Sequence, residues 1–117
     1  MDTNYILGLL KSSPRVLEDA ARRNLKSLEC GYSAITRMEL LGFPGIPSEE
    51  SKLISQRLGV LRYFPLTEQV EERTIALRQS RRIKLPDAII AATALEHDLQ
   101  LLTFDQKLAA IMSSIDN

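Results

Sequence analysis

Short apolar runs separated by capping and breaking residues make up most of the chain, and their periods change from segment to segment. Tyr5 to Leu10 is rich in apolar residues and follows Asp2-Thr3-Asn4, three residues able to cap a first helix. Ser13-Pro14 opens a second helix to about Asn24, with proline at the position where its missing N–H costs nothing. Cys30 to Ile35 reads as a short strand, after which Thr36 caps a helix carrying Met38, Leu40 and Leu41. Gly42-Phe43-Pro44-Gly45 ends that helix.

Ser48 begins a further helix that runs to about Leu58. Val60 to Leu66 is strand-like, although Pro65 confines it to an edge or an early end. Thr67 caps a long amphipathic helix with apolar Val70, Ile75 and Leu77, closing in the basic run Arg78 to Arg82. Pro86 opens the most apolar helix, Asp87 to about His97; Leu101-Leu102-Thr103 is a brief buried strand; Asp105 starts a last helix. Helix and strand alternate throughout, which predicts an α/β fold around a mostly parallel sheet. In such sheets, ligands sit beyond the carboxyl ends of the strands.

At 117 residues the chain is expected to form a single domain over residues 1–117, large enough for one core. One cysteine, Cys30, excludes an internal disulfide. No apolar run approaches the ~18 residues of a spanning helix, so no membrane association is expected and the cytoplasm is the default location. Lys+Arg and Asp+Glu balance at 15 each, which removes the basic excess of a nonspecific nucleic-acid coat.

Candidate chemistry is confined to carboxylates. Asp2, Glu39, Asp87 and Asp105 stand near strand ends or helix starts, while a usable Cys–His pair, a Gly-rich phosphate loop and zinc-ligand spacing are all missing. Brought together, such residues make the oxygen-lined site that Mg²⁺ and Mn²⁺ prefer. Each acid also has a plainer explanation. Asp2 and Asp105 can be helix caps, Glu39 can complete a capping box with Thr36, and Asp87 gains from the dipole of its own helix. A cluster of four carboxylates in a neutral chain leaves the rest of the surface net positive. Lys11, Arg15, Arg78, Arg81, Arg82 and Lys84 are then candidates for lining an RNA path, although solvated helix faces explain most of them equally well.

Four segments carry a family resemblance. They are Asp2-Thr3-Asn4, Ser33 through Leu41, Leu85-Pro86-Asp87-Ala88 with its apolar continuation to Ala94, and Leu102-Thr103-Phe104-Asp105. In that order, with eighteen residues from Asp87 to Asp105, they resemble the PIN-domain ribonucleases, most closely the VapC toxins of bacterial toxin–antitoxin pairs. The resemblance covers nearly the whole chain. It implies a three-layer α/β/α sandwich with a central, mostly parallel sheet of four to five strands. It also implies a Mg²⁺-dependent endoribonuclease, with Mn²⁺ as a substitute, that is inhibited by a small antitoxin and is usually a homodimer. Asp2 and Asp87 would be direct metal ligands, Glu39 would act through a water or as a base, and Asp105 would complete the set. Asn4 and Thr103 would be supporting polar residues. The apolar Leu9, Leu10, Met38, Leu41 and Phe43 suit a dimer face if they point outward.

Where family members have several strand residues before the first acid, here Met1 alone precedes Asp2. Either an apolar strand ending at Asp2 is expected upstream, or the central first strand is truncated. The second case keeps an alternative in view, a catalytically inactive PIN-like module that still binds antitoxin. A structure-specific DNA nuclease would need clamping elements for which this chain has no room.

Overall fold

The computed structural model describes residues 1–116; the expected domain limit at Asn117 lies outside them. Asp2 caps α1 (Thr3–Leu10), and Pro14 opens α2 (Pro14–Arg22). A 3₁₀ turn at Ser27–Glu29 leads into β1 (Gly31–Ser33), followed by α3 (Ala34–Leu41) and α4 (Ser48–Leu58). Then come β2 (Arg62–Phe64), α5 (Glu68–Ser80), α6 (Leu85–Glu96) and α7 (Gln106–Asp116). Helices dominate this α/β chain.

The strands are fewer and shorter than expected. Among the described residues β1 and β2 form the whole sheet, parallel and in register from Gly31–Arg62 to Ser33–Phe64. A sheet of four to five strands is therefore not observed. Leu101-Leu102-Thr103 is extended chain without a ladder, although the Leu102 carbonyl accepts from the Asp2 N–H at 3.1 Å. On the other side, the Met1 ammonium donates to the Gly31 carbonyl at 3.0 Å. Met1 and Asp2 thus lie between β1 and the Leu102 segment, where the central strand was expected. Behind them is a cavity of about 190 Å³ walled by β1, by Leu99 to Leu102 and by Ile90 and Ala94 of α6.

Local chemistry explains the revised boundaries. Ser33, not Thr36, caps α3, its side chain accepting from the Thr36 N–H, so the helix begins three residues early and Thr36 is buried inside it. The expected capping box between Thr36 and Glu39 disappears with that change. Thr67 caps α5 as expected, accepting from Val70 N–H at 3.2 Å.

α6 runs through the middle of the molecule, with every residue from Ala88 to Ala94 buried. Its small side chains let α5 and α7 close on it, and Val70, Leu77, Leu108 and Met112 fill the space between. Ile6, Tyr32, Leu40 and Leu58 join α1, β1, α3 and α4 in a second cluster. Gly8 permits the tight crossing of α1 over α2, since a Cβ there would lie 2.3 Å from a Val16 methyl carbon. These contacts anchor the helix starts that carry Asp2 and Asp87.

Candidate active site at the helix starts

Asp2 is the most constrained of the four acids. It is 6% exposed; one carboxylate oxygen accepts from the Tyr5 N–H at 2.8 Å, and the other accepts from the Thr103 hydroxyl. Thr103 Oγ1 also accepts from the Asp105 N–H at 3.0 Å, so one hydroxyl ties together two acids that lie far apart in the chain. Asp105 caps α7 through Leu108 N–H at 3.0 Å and remains exposed. The capping explanation of both residues is therefore true. It occupies one oxygen of Asp105 and one of Asp2.

Glu39 projects from α3 and accepts from the Thr3 hydroxyl at 2.7 Å. Thr3 Oγ1 is also 2.9 Å from Thr36 Oγ1, and this pair of hydroxyls ties the start of α1 to α3. Asp87 is the third residue of α6, half-buried behind Pro86. Burial pushes its carboxyl above the ordinary carboxylate range, and the charges of Asp105, Asp2 and Glu39 push it further; only Lys84 opposes them. All four acids therefore share one electrostatic environment. Asp87 and Asp105 also face a common cavity of about 200 Å³.

A sequence model of the PIN domain matches residues 1–112. The chain belongs to the PIN-domain family. A chain of a toxin–antitoxin complex from Klebsiella pneumoniae is 30% identical and superposes with a TM-score of 0.79, the match covering 93% of this chain and 88% of that one. A search of curated proteins gives no match.

Of the two polar residues expected to support the site of this PIN domain, Thr103 bonds both Asp2 and Asp105. Asn4 is exposed on α1 and makes no side-chain hydrogen bond among the described residues. Sequence reasoning missed the second role of Thr3, whose context suggests only a possible cap, and the first-turn residue Lys107, which lines the cavity with Asp87 and Asp105. Lys107 carried a readable signal, a cation in the first turn of a helix, where the dipole disfavours one. Thr3 carried none, because its partner Glu39 lies on another helix.

The donor chemistry suits a hard divalent cation. A carboxyl raised by burial and then by neighbouring negative charge is relieved by a positive ion, and Mg²⁺ takes few direct carboxylates while keeping its waters. Among the described residues no three acids stand close enough to grip an ion by themselves. His97, the lone histidine, takes no part. It ends α6, with its ring packed 4.6 Å from that of Phe64.

Proposed function

We propose that this chain is the toxin of a VapC-type toxin–antitoxin pair, a cytoplasmic endoribonuclease dependent on Mg²⁺ or Mn²⁺. The observation that carries the reading is the linkage of Asp2 to Asp105 through the Thr103 hydroxyl, with Asp105 sharing a cavity with Asp87. Asp87, with Asp2 and Asp105, would hold the cation. When bound, the ion supplies Lewis-acid chemistry, lowering the pKa of water and offsetting the charge that develops on the phosphate. Thr103 fixes the Asp2 carboxylate and the start of α7. Thr3 orients Glu39, which is exposed enough to take a proton from an attacking water. The Klebsiella pneumoniae relative belongs to a toxin–antitoxin complex, which supports an antitoxin partner for this chain as well.

The experiment is cleavage of a panel of folded and single-stranded RNAs with Mg²⁺, with Mn²⁺ and with EDTA. Asp87→Asn should lower the rate by orders of magnitude while antitoxin binding survives. Cleavage that persists in EDTA, or at full rate in the Asn variant, would overturn the metal mechanism.

The inactive antitoxin-binding module keeps one supporting observation. Both oxygens of Asp2 are already engaged by Tyr5 and Thr103, which leaves that acid less available to an ion. RNA left intact under every metal condition, by protein that still binds its antitoxin, would decide for this second reading.

A further inference from the structure

Resting on the nuclease reading, we infer that Lys84 and Lys107, which share a cavity with Asp87 and Asp105, form a clamp for RNA backbone phosphates, and that this clamp positions a single strand for cleavage. Both lysines line the same cavity as the two acids, with Ile83 and Leu108 among its apolar lining. Both are exposed.

Their placement opposes helix stability. Lys84 is the N-cap of α6 and Lys107 lies in the first turn of α7, where the partial positive charge of a helix start repels a cation. Two other helices follow the opposite rule, with Glu49 and Glu50 opening α4 and Glu68 and Glu71 opening α5, while α2 also carries a cation, Arg15, in its first turn. Nor do the lysines serve ion pairs among the described residues. Among the described residues the ion pairs join Arg22 and Arg23 to Asp19 and Arg73 to Glu96. Lys84 lies near enough to Asp87 to oppose its raised carboxyl, yet forms no bridge with it.

Two of the other cations considered for an RNA path, Arg15 and Arg81, are already engaged. The Arg15 guanidinium lies 4.0 Å above the Phe104 ring, and Arg81 bonds Ser80 and Ser114. Two lysines and two acids line one cavity, so a phosphate can meet an ammonium group there while the carboxylates stay open to a cation. A bare carboxylate cluster would repel the same strand. Each lysine that meets a phosphate displaces about one counterion, so RNA affinity should depend on salt in proportion.

The test is fluorescence anisotropy of a labelled single-stranded RNA across a salt series, in Mn²⁺ at a temperature and time where no cleavage is seen. Lys84→Gln and Lys107→Gln should each lower the slope of log affinity against log salt by about 0.7, and together by about 1.4. Lys84→Arg and Lys107→Arg should retain it, and Lys52→Gln on α4 should leave it unchanged. Both Gln variants should melt no lower than the parent, since each removes a disfavoured cation from a helix start. An unchanged slope in the double variant overturns the clamp even where RNA is cleaved. A reduced slope supports it even where no cleavage is found, which separates the clamp from the catalytic reading. Absence of RNA binding by the parent protein overturns both.

Discussion

The Thr103 hydroxyl donates to the carboxylate of Asp2 across a sequence separation of 101 residues, and it accepts the backbone N–H of Asp105 at the same time. Thr103→Val removes both bonds and leaves a nearly buried carboxylate one donor short, at a cost of about 1–3 kcal/mol. Thr103→Ser keeps the oxygen and should recover most of that loss. Thermal melts of the three proteins check the order, and a Mn²⁺ titration should show weakened binding in the Val variant alone.

Asp87 sets a dependence on pH and metal. A carboxyl raised above its ordinary value binds its proton more tightly in the folded chain than in the unfolded one, so stability falls as pH climbs from the ordinary carboxylate range through the raised value. Asp87→Asn removes that loss. In EDTA the variant should be the more stable protein at neutral pH, and the gap should close once the pH falls below the ordinary carboxylate range. A divalent cation that binds only the folded parent should reverse the ranking. Urea titrations at several pH values, with and without Mn²⁺, give the comparison.

Tyr5 and Asp19 make a contrasting pair at the junction of α1 and α2. The Tyr5 hydroxyl donates to Asp19 at 2.7 Å, Arg23 donates to the same oxygen at 2.8 Å, and Arg22 bonds the other oxygen. The Tyr5 bond, resisted by burial and helped by the two arginines, holds the Asp19 carboxyl below its ordinary range. This contribution is present above the unfolded pKa and is lost as pH falls through the lowered folded value. Tyr5→Phe should cost about 1–3 kcal/mol at neutral pH and flatten the acid limb of the stability profile, as measured by denaturant titration.

Assembly gives a fourth expectation, narrower than the apolar pattern suggested. Leu9 and Leu10 pack inward against the core clusters and Leu41 is half-buried, but Met38 and Phe43 remain 52% and 69% exposed, and Leu53 on α4 is 50% exposed. Exposed apolar patches mark interfaces. The parent should be a dimer by light scattering at micromolar concentration, and Phe43→Glu with Met38→Lys should make it a monomer without lowering its melting temperature. A monomeric parent would remove these residues from consideration as a dimer face.

The helices were legible because their boundary signals are local. Pro14, Ser48, Thr67 and Pro86 mark starts that the structure places within a residue or two, since caps and N-terminal prolines act on their own first turn. The sheet was not legible to the same degree. Whether Leu101 to Thr103 becomes a strand depends on a neighbour supplied from elsewhere in the chain, and the neighbour here is the dipeptide Met1-Asp2. At Ser33 two capping hydroxyls stand three residues apart, and nothing local favours the earlier one. The links between the candidate acids were not legible, because the Thr103 bonds to Asp2 and Asp105 and the Thr3 bond to Glu39 join residues from separate elements.

The bond from the Met1 ammonium to the Gly31 carbonyl makes the amino terminus part of the candidate site's mounting. Asp2 is the next residue, and its own N–H grips Leu102. Whatever is attached to that nitrogen in a given preparation, be it an acyl group, a purification tag or more polypeptide, acts one peptide bond from the first carboxylate. Activity compared between differently tagged samples would then reflect the tag as much as the enzyme, and a handle for purification belongs at the other end of the chain.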